Sequence, residues 1–142
     1  MSEWSHLANA KHIDRIIAHA RANPKAWDEV THEVTFAAVR KAFNAAAMAA
    51  AAAARNAAWS AAWDAAYEAW EAAYEAAARD AAFNAASKAA WGAILALVVW
   101  DRASGLMDLP AEQVKVLALL GDQAAILMYP AIVAMETTQE LV

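Results

Sequence analysis

The chain has 142 residues, with 11 Lys and Arg against 16 Asp and Glu for a formal net charge of −5. That balance excludes a general nucleic-acid binder, which needs surplus cations to neutralise phosphates. Cys is absent, which excludes disulfides, thiolate metal sites and a Cys nucleophile. Three Gly and three Pro are too few for the turns of a β-sandwich or the phosphate-cradling loops of an α/β nucleotide fold. Ala dominates the remainder, with 45 residues against 43 larger apolar side chains. Ala has the highest helix propensity, and Glu, Lys, Arg, Leu and Met follow it. The composition therefore predicts an all-α fold over 1–142, a compact bundle of about five or six helices with Ala-rich close packing.

The N-terminus lacks the basic and apolar regions of a signal peptide. The longest strongly apolar run, 89–100, has 12 residues, where a membrane span needs about 20. These features predict a cytoplasmic protein with no membrane association. The first helix is predicted over about 3–22, where Ile13, Ile16 and Ile17, with Leu7, His12 and Ala20, keep the spacing of a buried stripe. Asn23-Pro24 ends it, with Asn23 placed to cap the next helix and Pro24 at its first position. That second helix is predicted to run to about Ala54, with Trp27, Val30 and Val34 on one face. Its last stretch, Ala45 to Ala54, is all Ala except Met48.

The third segment, Asn56 to Ala78, reads NAAWSAAWDAAYEAWEAAYEAAA. At about 100° per residue, Trp59, Trp63, Tyr67, Trp70 and Tyr74 fall on one arc of the helix. Ser60, Asp64, Glu68, Glu71 and Glu75 form a neighbouring stripe, and the remainder is Ala. The helix has an aromatic, an acidic and a smooth face. Two apolar faces imply two packing neighbours, inside a bundle or across a self-association surface. The phase breaks near Arg79-Asp80, where Asp80 suits a cap. A continuous helix from Pro24 to Ser104 would extend about 120 Å, so a second break is expected near Arg55-Asn56.

The fourth helix, about 81–104, turns fully apolar from Ile94 to Trp100 and reads as buried core, with Gly105 as its C′ residue. Asp108-Leu109-Pro110 opens a further helix that Gly121 closes. Asp122 caps the last one, which Pro130 is expected to kink or divide. Ala- and aromatic-rich helices thus cover about 24–104, and apolar ones about 110–137, with the main core in the C-terminal third. Residues 1–44 carry six basic and five acidic groups, and 89–142 two basic and six acidic. This asymmetry favours antiparallel or head-to-tail association into a homo-oligomer.

No catalytic constellation emerges. His6, His12, His19 and His32 include no i, i+4 pair. Glu-x-x-His occurs at Glu3–His6 and at Glu29–His32, whereas a di-metal site needs both copies on facing helices together with two further Glu. Neither a G-x-S-x-G turn nor a Gly-rich phosphate loop is present. The expectation is a protein that is not an enzyme, with no metal and no cofactor. The candidate binding residues are Trp59, Trp63, Tyr67, Trp70 and Tyr74 with Asp64, Glu68, Glu71 and Glu75. Their rings could be packing surface, a stacking platform for a nucleobase or other flat ligand, or anchors for a foreign protein. For a phosphate-bearing ligand the nearest cations are Arg40, Lys41 and Arg55.

Two stretches carry a resemblance: AAWSAAWDAAYEAWEAAYEAAARDAAFNAA and ILALVVWDRASGLMDLPAEQVKVLALLGDQAAILMYPAIV, the second spanning Ile94–Val133. Both resemble small Ala-rich, Trp/Tyr-repeat proteins common in bacteriophage genomes, some of whose relatives are labelled immunity proteins. The resemblance implies an all-helical fold and a phage origin, and it carries no catalytic residues. The expected function is a non-enzymatic, phage-type binding protein, an inhibitor or sequestering factor that acts against host defence through the aromatic and acidic helix faces. It would meet a host protein or a small nucleotide ligand in the host cytoplasm. A nucleotide-binding sponge, a toxin-neutralising immunity protein and a structural virion protein are the alternatives.

Overall fold

A computed structural model of the chain describes residues 3–23, 26–27, 34–77 and 80–140, and among these the side chains of all but 36, 69–77, 80–89 and 139–140. The described structure is all-helical. It has seven helices where five or six were predicted: α1 (Ala10–Ala22), α2 (Phe36–Ala52), α3 (Asn56–Ala77), α4 (Asp80–Val99), α5 (Ala103–Leu106), α6 (Ala111–Leu119) and α7 (Gln123–Glu140). None of the described helices is long and apolar enough to cross a membrane.

The second half of α4 is the centre of the packing. Every residue from Gly92 to Val99 is buried, and a helix that is apolar all round must be enclosed. Helices α1, α2, α3 and α7 enclose it. Gly92 permits the closest of these approaches, because a Cβ there would stand 3.1 Å from the Leu127 carbonyl oxygen of α7. Helices α3 and α4 form an antiparallel hairpin. Arg55, just before α3, donates to the Val98 carbonyl at 2.6 Å and to Asp101 at 3.4 Å, at the far end of α4.

Several boundaries differ from the sequence-based expectation, each for a local reason. The first helix starts at Ala10 rather than near residue 3. The preceding turns bury Trp4 and Leu7, and buried Asn9 donates from Nδ2 to the Leu97 carbonyl at 2.7 Å, occupying an acceptor near the end of α4. Asn23 closes α1, since its backbone N–H and its Nδ2 both donate to the His19 carbonyl, and its own carbonyl accepts from the Ala26 N–H at 3.1 Å, where helix resumes over 26–27. The helix predicted from Pro24 to Ala54 is interrupted at Thr35, whose extended backbone and Oγ1, accepting from the Ala38 N–H at 3.2 Å, cap α2. Trp27 and Val34 are buried, as their spacing predicts. Pro24, Val30, Glu29 and His32 lie outside the described residues.

The break expected near Arg55-Asn56 is present. Ala54 turns to a φ of 57°, and the N–H groups of Ala54 and Arg55 reach back to the Ala51 and Ala50 carbonyls. This double closure normally uses Gly. Helix α3 ends at Ala77 and α4 begins at Asp80, as the second expected break requires, with 78–79 outside the described residues. Gly105 is not a terminator: α4 stops at Val99, and Gly105 sits inside four-residue α5. Gly121, at a φ of 95°, does terminate α6. Asp122 then caps α7 by accepting from the Ala125 N–H at 3.1 Å, while Arg102 donates to its other oxygen at 2.7 Å. Burial alone would raise the Asp122 pKa, but the Arg102 and backbone hydrogen bonds outweigh it and hold the carboxyl below its usual range. Helix α7 passes through fully buried Pro130 undivided.

Candidate functional site: an aromatic groove

The three faces predicted for α3 are segregated over its described side chains, but the buried one is the smallest. Ala58, Ala62 and Ala66 are at most 1% exposed, whereas Trp63 is 39% and Tyr67 43% exposed. Asp64 and Glu68 point to solvent on the third face. Glu68 stands 3.8 Å from Arg21 of α1, an exposed pair of little energetic weight. The side chains of Trp70, Glu71, Tyr74 and Glu75 lie outside those described. Ala on the buried arc lets α1 and α4 approach the α3 backbone closely. The rings cannot share that narrow seam and occupy its edge.

Trp91 of α4 organises the rings at that edge. Its indole lies parallel to Trp63, with centroids 4.8 Å apart and planes 10° apart. Tyr67 is parallel to the same indole at 6.0 Å and 10°. The Trp91 Nε1–H donates to the Trp63 backbone carbonyl at 3.0 Å, which fixes the ring's orientation.

Beside this stack runs a groove of about 460 Å³. Trp59, Trp63 and Trp91 form one wall; α2 supplies the other with Val39, Phe43 and Ala47, and with Arg40 and Asn44 as its polar members. An apolar, aromatic concavity with a few placed polar groups is the usual make-up of a small-ligand site. Of the three cations nearest in sequence, Arg40 lines the groove, Lys41 does not, and Arg55 is committed to Val98 and Asp101.

Trp91, Phe43 and Asn44 were not among the predicted site residues. Their spacing on α2 carries part of the signal, since 39, 40, 43, 44 and 47 repeat at helical intervals. Trp91 carries none, because its meeting with Trp63 is a tertiary event between two helices.

A second cleft, of about 340 Å³, includes Arg15, Asp108 and Glu136. The Glu136 carboxylate accepts from the Ala111 N–H at 2.9 Å, so it satisfies the start of α6. His19 accepts at Nδ1 from the indole N–H of fully buried Trp27 at 2.9 Å. Burial, then the nearby Arg15 charge, lowers the His19 pKa. Neither His19 nor Asp122 lines the aromatic groove. Among the described residues no group of three or more His, Asp or Glu is placed to hold a metal ion.

No protein-family model, curated protein or solved structure matches this chain.

Proposed function

We propose that the protein is a non-enzymatic binding protein that captures its target in the aromatic groove, as a phage-type sequestering factor or inhibitor of host defence. The observation that carries the reading is the parallel Trp63–Trp91 pair held at the solvent edge by its own hydrogen bond. Large exposed aromatic surface marks a site of interaction, and Trp and Tyr are favoured binding anchors. The phage assignment and the action in host cytoplasm rest on the likeness of two stretches to phage proteins. Self-association into an oligomer belongs to the same proposal and rests on the charge asymmetry along the chain.

The groove's dimensions favour a small ligand over a protein. A volume of about 460 Å³ lies within the range of about 300–1,000 Å³ of small-molecule pockets. The exposed acidic stripe at Asp64 and Glu68 supports the second reading, a basic protein surface. The test is calorimetry of the full chain with defence effectors and nucleotide second messengers. The expected result is saturable binding by the unchanged protein and its loss in Trp63→Ala, with helicity retained by circular dichroism. Binding indifferent to Trp63, or turnover of a substrate without a stable complex, would overturn the proposal.

A further inference from the structure

We infer that the groove is a nucleotide site, in which the indole wall stacks a nucleobase and Arg40 holds the phosphate. This deepens the proposed binding function and rests on the groove being its seat.

The charge of the lining is the first argument. The chain is acidic at −5, yet no carboxylate lines the groove among the described residues, and Arg40 is its one charged member there. Arg40 has no ion-pair partner among the described residues. A planar guanidinium presents a fork of donors that matches phosphate oxygens two at a time. An acidic protein that keeps one unpaired Arg in an otherwise uncharged cleft provides a local anion site against its own overall charge.

The second argument is the division of labour between the walls. Arg40 and Asn44 are four residues apart on α2, so they stand one above the other. Across from them, α3 and α4 supply the indoles of Trp59, Trp63 and Trp91. A ligand that satisfies both walls is flat and aromatic at one end and anionic at the other. Asn44 adds both a donor and an acceptor, which suits a heterocycle edge or ribose hydroxyls better than a plain hydrocarbon ring.

Preorganisation is the third. Trp91 already donates to the Trp63 carbonyl, and Trp63 and Tyr67 both lie within 10° of its plane. Little ring freedom remains to be lost on binding. Stacking on such a wall tolerates any base, because every base has a π-face. Selectivity between bases would therefore be weak, and the phosphate would provide most of the discrimination.

The experiment follows intrinsic Trp fluorescence and calorimetry on the full chain with four probes: adenosine, AMP, inorganic phosphate and the neutral flat dye N-phenyl-1-naphthylamine. AMP is expected to bind about tenfold or more tighter than adenosine. Arg40→Gln, at an exposed position, is expected to erase that gap by weakening AMP more than adenosine, and Trp63→Ala to weaken both. AMP no tighter than adenosine, an unaffected gap in Arg40→Gln, or inorganic phosphate binding as tightly as AMP would overturn the nucleotide assignment. If the dye binds in a Trp63-dependent way while no nucleotide does, the nucleotide inference falls and the groove reading stands. If no probe binds, the nucleotide inference falls.

Discussion

Around α4 and α7 the buried side chains are large: Ile94, Leu95, Leu97, Leu127 and Met128 are at most 2% exposed. In α2 and α3 the equivalent interior positions are Ala42, Ala46 and Ala50, and Ala58, Ala62 and Ala66, none more than 1% exposed. Fully burying a Leu or Ile contributes roughly 1.5–3 kcal/mol, and a methyl group contributes far less. The α4–α7 region is therefore where hydrophobic stabilisation concentrates. The α2–α3 region gains from helix propensity and close approach instead, which leaves its largest side chains free for the surface. Buried apolar bulk and exposed aromatic surface are separated along the chain, even though α4 belongs to both regions.

The largest expected effect tests that separation directly. Leu97→Ala should cost about 2–5 kcal/mol in chemical denaturation. Trp63→Ala removes a bigger side chain from a position 39% exposed and should cost less, about 1–3 kcal/mol, from part of its apolar area and one aromatic pair. Equal losses would mean that the rings are core after all. Next comes Ala62→Leu, which places extra methylenes in the narrow seam of α3 and should destabilise by about 1–3 kcal/mol. Tolerance of Leu there would show that the seam is loose. A smaller gain is expected from Ala54→Gly, since an L-residue at a φ of 57° carries about 1–2 kcal/mol of steric cost that Gly lacks. Thermal unfolding should show stabilisation of about 1 kcal/mol once Gly's greater unfolded-state entropy is subtracted.

The smallest effect concerns pH, because His19 is only half-buried and its interactions are partly screened. Its folded pKa lies below the ordinary 6.5, owing to burial and then to Arg15. The unfolded chain therefore binds the proton more readily. Stability from this group should be complete above pH 6.5, fall as pH drops towards the folded pKa, and then level off. In His19→Gln, which keeps a hydrogen-bond acceptor for Trp27, that slope should disappear. A slope that survives would assign it to another group.

Most of the helical punctuation was legible where a residue has one strong local use. Gly121 and Asp122 mark the α6–α7 turn because a positive φ and an N-cap are things those residues do best. The Thr35 cap was hidden, although Val34, Thr35 and Phe36 are weak helix formers, because no Glu follows at the third position to complete a capping box. Gly105 misled for the converse reason: a Gly near an apparent helix end looks like a stop, yet packing ended α4 six residues earlier. At the site, the segregation of rings from carboxylates on α3 follows from its own periodicity. The groove does not, because it depends on how α2 and the α3–α4 hairpin sit against each other. That arrangement brings Arg40 and Trp91, 51 positions apart, into one lining.

The Trp63–Trp91 pair has an optical consequence. Two indoles in near-parallel contact at 4.8 Å act as coupled chromophores, with mixed transition dipoles and shared excitation. The protein thus carries an unlabelled exciton reporter at the mouth of its own groove. Any change in the spacing or tilt of those two rings, by even a fraction of an ångström, alters their joint ultraviolet dichroism.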